Sequence, residues 1–377
     1  MISPRIRRFF DRHHHDAPCL VIDLEQVRAN YDAFRHAMPE SAIYYAVKAN
    51  PHPQVLRQLA AAGSNFDCAS VAEIEMALEA GATPERISYG NTIKKERDIA
   101  AAHEIGVTLF AIDCAEEAEK IARAAPGARV FCRILTDGAG AEWPLSRKFG
   151  CDGDMAIEVL DRAKRLGLEP VGVSFHVGSQ QTDIDAWEAA LAEASRIFVE
   201  LELRGIRLSI VNLGGGFPTR YLKKVPQLIE YGHSIYGALR KAFGNRIPDT
   251  IIEPGRGMVG DAGVIRAEVV LVSQKSADDP LRWVYLDIGK FGGLAETMDE
   301  AIRYSIVTHR DDDARRPCVL AGPTCDSADV LYEKKPYELP ATLAAGDEVF
   351  IEGTGAYTST YSSVAFNGFA PLATYVI

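Results

Sequence analysis

The 377-residue chain has no apolar run approaching the ~18 residues of a membrane span, and its opening "MISPRIRRFFDRHHHD" lacks an apolar signal core. It also has no C-x-x-C pair. Its seven cysteines (Cys19, Cys68, Cys114, Cys132, Cys151, Cys318 and Cys325) are odd in number. That argues against a disulfide framework and fits a reducing cytoplasm. Basic residues are in deficit, 41 Lys and Arg against 52 Asp and Glu, for a net charge of -11. Such a balance argues against nucleic acid and anionic membrane surfaces, and mildly favours a cationic substrate. No low-complexity tract or Pro-rich linker interrupts the chain. The triplet His13, His14 and His15 reads as a solvated segment, and no metal is expected.

What is present is alternation. Eight short β-rich runs occur: "IYYAVKA" (43–49), "NFDCAS" (65–70), "ISYG" (87–90), "TLFAID" (108–113), "RVFCRIL" (129–135), "VGVSFHVG" (171–178), "LSIVNLGGG" (208–216) and "TIIEPG" (250–255). Between them lie segments such as "PQVLRQLAAAG" and "AIEVLDRAKRLG", with apolar residues at helical spacing and a closing glycine. This order predicts parallel β/α units, and eight of them predict a closed (β/α)8 TIM-like barrel. An open doubly wound sheet would carry its glycine-rich loop after the first strand, whereas here the glycines follow the seventh. After Arg256 the texture changes. "VIRAEVVLVSQKS", "RWVYLDIG", "PCVLAGPTCD" and "DEVFIEGTGAYT" alternate with period two, which predicts an antiparallel β-sandwich or open-barrel domain. The expected division is a barrel over 20–260 and a β domain over 261–377 together with 1–19.

Chemistry in such barrels sits at the C-terminal strand ends. Those ends carry Lys48, Asp67, Asn91, Asp113, Arg133, His176, Gly214 to Gly216, and Glu253 with Arg256. A lone strand-end lysine is ordinarily just solvated; Lys48 is singled out by this company. Three glycines let backbone N–H groups approach an anion without a Cβ in the way, and Arg256 could neutralise it. A lysine, a phosphate cradle and a carboxylate in one mouth suggest pyridoxal phosphate. The amine would hold the cofactor, and Glu253 would keep its pyridine nitrogen protonated. His176 could stack on the ring.

At these residues the sequence resembles the pyridoxal-phosphate decarboxylases with an alanine-racemase-like barrel, from about Pro18 to Phe369. The family acts on ornithine, lysine, arginine, diaminopimelate and carboxynorspermidine. "YAVKAN" is similar to its cofactor-lysine motif, which assigns Lys48 the covalent link. The resemblance implies that Asp67 of "FDCAS" pairs with Arg133 beside the cofactor. It gives His176 of "SFHVGS" to the ring face and Ser179 to the phosphate side. It likewise implies Gly214, Gly215 and Gly216 on the phosphate, Glu253 on the pyridine nitrogen, and Arg256 and Tyr357 on the phosphate.

"GPTCDSADVL" (322–331) looks like the ornithine-decarboxylase signature, in which Cys325 handles the proton at Cα and Asp326 binds the distal amine. The resemblance implies a homodimer in which this loop reaches the other subunit's active site, with Lys148 and Asp329 paired across the interface. The pattern departs in two places. Phe291 stands where the ornithine enzymes often carry tyrosine, and an ungapped count puts Glu300, beside Asp299, where a second amine-binding aspartate is usual. The expected activity is decarboxylation of L-ornithine to putrescine in polyamine biosynthesis, with a dual lysine/ornithine enzyme as the alternative. A catalytically inactive regulatory homologue or a cofactor carrier is the reading from another class. The presence of Lys48, Cys325 and the whole β domain favours an enzyme.

Overall fold

Each of the eight β-rich runs supplies one strand of a single closed parallel barrel in the computed structural model, which describes residues 2–13, 18–143 and 148–377. His14 and His15 lie outside the described residues. The strands are β1 (Ser41–Ala46), β2 (Asn65–Cys68), β3 (Ile87–Tyr89), β4 (Leu109–Ile112), β5 (Arg129–Arg133), β6 (Glu169–Ser174), β7 (Ile210–Asn212) and β8 (Asp249–Ile252). They pair in sequence order, and β8 closes on β1 through Thr250–Ser41, Ile251–Ala42 and Ile252–Ile43.

The helices that return the chain between strands include α1 (Pro53–Ala62), α2 (Val71–Glu79), α3 (Glu96–Ile105), α4 (Ala115–Ala124), α5 (Gly153–Arg165), α6 (Glu188–Leu203) and α7 (Leu228–Phe243). In α1 the reason for the helix is local. Proline opens it, Val55, Leu56, Leu59 and Ala60 form its buried face, and Gly63 ends it at φ +95°, a conformation costly for any side chain. The barrel interior is packed rather than open. Leu109, Ala111, Phe131, Val171, Ile210 and Ile251 form one buried cluster with Tyr44 against it. Burying each large apolar side chain contributes roughly 1.5–3 kcal/mol.

The chain divides into two units, one of residues 27–218 with 225–258, the other of residues 1–26, 219–224 and 259–377. The second is an eight-stranded sheet. Its central order is Ser305–Thr308, Glu348–Glu352, Gly263–Ser273, Arg282–Leu286, Arg315–Ala321 and Val330–Pro340, and Cys19–Ile22 pairs with both Gly263–Ser273 and Ala373–Val376. Most pairings are antiparallel, as the period-two texture predicts. Two are parallel: Arg282–Leu286 with Arg315–Ala321, and Cys19–Ile22 with Ala373–Val376. Parallel neighbours need long crossovers, and the chain between 286 and 315 carries a 3-10 segment and a strand that make one. The helix Pro4–Arg12 buries Ile6 and Phe10 against Cys19, Val21, Val264 and Phe350. Among the described residues no helix is long and apolar enough to cross a membrane.

Candidate active site

Strand β1 ends at Ala46 and tightens into a 3-10 turn over Val47–Ala49. Val47 and Ala49 are buried while Lys48 between them is exposed. The Tyr45 hydroxyl donates to Asn50 O at 2.9 Å, and Asn50 Oδ1 accepts the His52 N–H at 3.0 Å. These bonds fix the turn that takes Lys48 out of the strand's alternation. The lysine's charge is felt by Asp67, Glu73 and His176, so the turn delivers it to the shared mouth.

Asp67, on β2, is buried, and its Oδ1 has no hydrogen-bond partner among the described residues. A Cβ on Gly90 would fall 1.9 Å from that oxygen, so glycine at the end of β3 is what leaves the carboxyl room. Burial and then the charge of Glu253 push the Asp67 carboxyl well above its ordinary range, while Lys48 and Arg133 pull it back. Arg133 acts on Asp67 through space; the two form no ion pair among the described residues. Burial lowers the Arg133 guanidinium, against the opposing pull of Glu253 and Asp67.

His176 follows β6. The Gly178 N–H donates to its Nδ1 at 3.0 Å, so the neutral ring carries its proton on Nε2. Burial and the positive charges of Arg133 and Lys48 push its pKa down to about 3, so the imidazole is neutral at physiological pH. The glycine run packs directly on these groups. A Cβ on Gly214, at φ +65°, would lie 2.1 Å from Phe175 O, and one on Gly216, at φ +102°, 2.7 Å from Gly178 O. A Cβ on Gly215 would meet Glu253 O at 2.7 Å and His176 Nε2 at 3.3 Å. The close approach, and at two positions the φ, thus require glycine.

Arg256 is buried, and its Nε and a terminal nitrogen both donate to Ser179 Oγ, at 3.3 and 3.0 Å. A guanidinium, a hydroxyl and side-chain-free backbone on one wall form a cradle suited to a phosphate group.

Two neighbours of this site were not singled out from the sequence. Asn212 donates to Glu253 Oε1 and accepts the Gly214 N–H, so it fixes both the carboxylate and the glycine run. The signal was the polar residue ending the strand in "VNLGGG". Glu73 accepts the Ala69 N–H at 2.6 Å at the start of α2, within electrostatic reach of Lys48; "SVAE" is its capping-box signature. Two strand-end residues brace nearby backbone instead. Asp113 accepts the Gly150 N–H, and Asn91 accepts the Ile93 N–H and donates to Ala69 O.

Apart from Lys148, the remaining predicted residues belong to the β unit. Cys325 and Asp326 are exposed on a loop organised by buried Asp329, which accepts from Lys290 N, Thr324 N and Thr324 Oγ1. Lys148, its expected partner across an interface, is exposed in the barrel unit, with Nζ 4.8 Å from the Phe149 ring centre. Phe291 packs on Phe366 with ring centres 4.7 Å apart. Tyr357 has φ +57°. Glu300 is consumed internally, accepting from the backbone of Glu333, Lys334 and Lys335 and pairing with Arg303. Asp299 beside it is almost fully exposed and reaches Lys334 at 3.1 Å.

A barrel mouth with an amine at the end of β1 and an anion cradle built after β6, β7 and β8 fits a phosphorylated aldehyde. That defines the class as pyridoxal-phosphate enzymes built on a (β/α)8 barrel. The chain belongs to the pyridoxal-dependent decarboxylase family, whose pyridoxal-binding-domain model matches residues 24–260. It is 36% identical over 354 residues to the lysine/ornithine decarboxylase of Selenomonas ruminantium, covering 93% of this chain and 87% of that one. It is 33% identical over 366 residues to antizyme inhibitor 2 of Xenopus laevis, covering 93% and 78%. The solved structure of SrLDC in complex with pyridoxal phosphate and cadaverine superposes with a TM-score of 0.88 at 33% identity, covering 100% of this chain and 94% of that one. The protein is a pyridoxal-phosphate-dependent decarboxylase of the ornithine, lysine and arginine type.

Proposed function

We propose that the substrate is L-ornithine, released as putrescine and CO2, with L-lysine the nearest competitor. The carrying observation is the Cys-Asp loop: an exposed thiol and carboxylate on a loop braced by Asp329, in a chain whose net charge is -11. In this reading Lys48 anchors the cofactor aldehyde. Arg256, Ser179, Gly214, Gly215, Gly216 and Tyr357 hold its phosphate. Glu253, oriented by Asn212, takes the pyridine nitrogen, and neutral His176 lies on the ring face. Asp67 and Arg133 set the charge beside it. Bound pyridoxal phosphate supplies an electron sink for the charge left when CO2 departs.

Cys325 delivers the proton to the substrate's Cα, and Lys48 frees the amine. Asp326 and Asp299 receive the distal ammonium, and Phe291 bounds the pocket. Glu300 drops out of that set, because three backbone amides and Arg303 already use its carboxylate. One methylene is worth only ~1–3 kcal/mol of discrimination, so a measurable rate on lysine accompanies ornithine turnover. The similarity to a relative named for both substrates supports this pairing. Similarity to an antizyme inhibitor gives a second reading, a non-catalytic binding homologue. The presence of both Lys48 and Cys325 weighs against it.

Product analysis with equimolar ornithine, lysine and arginine tests the assignment. Putrescine should dominate. Excess cadaverine or agmatine would move the substrate, and no amine product from cofactor-loaded protein would favour the binding homologue.

The same reading makes the enzyme a cytoplasmic homodimer with shared sites. Lys48→Ala and Cys325→Ala proteins should each be nearly inactive, and their equal mixture should recover about a quarter of wild-type activity after subunit exchange. No recovery, with exchange verified by mass, would refute sharing.

A further inference from the structure

Two cysteines with no part in this chemistry lie against each other at the end of β5. Cys132 is the penultimate residue of the strand and fully buried; Cys151 precedes Asp152, the N-cap of α5, and is partly exposed. Their Sγ atoms are 3.6 Å apart, and both lie near the same carbonyl, Arg133 O, at 4.0 and 3.7 Å. The backbone holds this approach in place. The Cys151 N–H donates to Arg133 O and the Leu135 N–H to Cys151 O, forming a parallel bridge between Ile134 and Cys151. A disulfide needs the sulfurs at about 2 Å, so bonding requires an approach of about 1.6 Å.

We propose that Cys132 and Cys151 are a redox-active pair that forms a reversible intrachain disulfide on exchange with a low-molecular-weight disulfide such as oxidised glutathione. Contact with Cys151 and burial push the Cys132 thiol well above its ordinary range, so the more accessible Cys151 is the first nucleophile. Its thiolate attacks one sulfur of the small disulfide, whose S–S bond breaks and expels one small thiolate. Cys132 then loses its proton and attacks Cys151 Sγ, expelling the second small thiolate. Two protein thiols are oxidised and one small disulfide is reduced to two thiols. The new bond closes the segment between residues 132 and 151. That segment includes the strand Ala141–Trp143, which pairs with Ser179–Gln181, so the staple reaches the wall on which Ser179 receives Arg256.

The test is disulfide mapping of the holoenzyme. The protein is incubated with oxidised glutathione, free thiols are blocked, and trypsin is applied without reductant. Peptides 130–133 and 149–162 should be recovered as one linked species that dithiothreitol separates. In Cys151→Ala protein the link should vanish, with Cys132 recovered as a blocked free thiol. Exposed Cys325 reports that the oxidant acted. The proposal is overturned if Cys325 has reacted while Cys132 and Cys151 remain free. It is equally overturned if Cys151 stays a glutathione mixed disulfide, or if Cys114, whose charge also reaches Cys132, forms the link instead.

Discussion

Gly215→Ala separates a phosphate cradle from an ordinary turn, because this glycine is outside the left-handed region and alanine adds contact without backbone strain. The new Cβ would lie 2.7 Å from Glu253 O and 3.3 Å from His176 Nε2. The first contact is with backbone, so the end of β8 must move, carrying Glu253 with it. Overpacking of this kind costs about 1–3 kcal/mol. At roughly 2–4 °C per kcal/mol, the thermal midpoint should fall by roughly 2–12 °C. Strain present with and without cofactor cancels from binding, whereas strain of the same size confined to the bound state would raise Kd by roughly 5- to 150-fold. Circular dichroism melts give the first quantity, and absorbance titration of apo-protein with pyridoxal phosphate gives the second. Gly237→Ala is the control. It lies within α7 with nothing inside 4 Å of its added Cβ, and should stabilise by about 0.5–1 kcal/mol through helix propensity. A Gly215→Ala protein that melts like wild type and binds the cofactor within a factor of two would refute the cradle.

Glu253→Gln should retain the cofactor yet lose most of its kcat, since a neutral amide cannot hold a pyridinium proton; an unchanged kcat rules out the role. Asp67→Asn should stabilise apo-protein at pH 7 while lowering turnover. A carboxyl raised on folding contributes stability that is complete below its ordinary value of 3.8 and is lost as the pH rises through its folded value. The mutant's advantage in thermal midpoint should therefore shrink as the pH approaches 4, and a mutant less stable than wild type at pH 7 contradicts the electrostatics.

Periodicity made the barrel legible. Strands buried on both faces must be apolar runs, and amphipathic helices must repeat at helical spacing, so eight such units left one closed arrangement. The strand-end rule then located Lys48, Asp67, Arg133, His176, the glycines, Glu253 and Arg256, because a parallel barrel points all its C-terminal ends to one face. At Asn91 and Asp113 the same rule names residues whose side chains bond nearby backbone. It places a residue at the mouth but does not say whether its hydrogen bonds go to a ligand or to neighbouring backbone.

What only the tertiary structure decided depends on partners distant in sequence. Glu300 and Asp299 are neighbours on the chain, yet the strand at 330–340 brings three amides to one carboxylate and leaves the other in solvent. The parallel pairings of the β unit depend on where a crossover returns, which period-two alternation does not encode. Cys132 and Cys151 are unremarkable nineteen positions apart and meet only because a bridge at Ile134 folds one segment onto the other. Local patterning fixes which face of an element is buried, whereas the pairing of specific polar atoms is set by packing between elements.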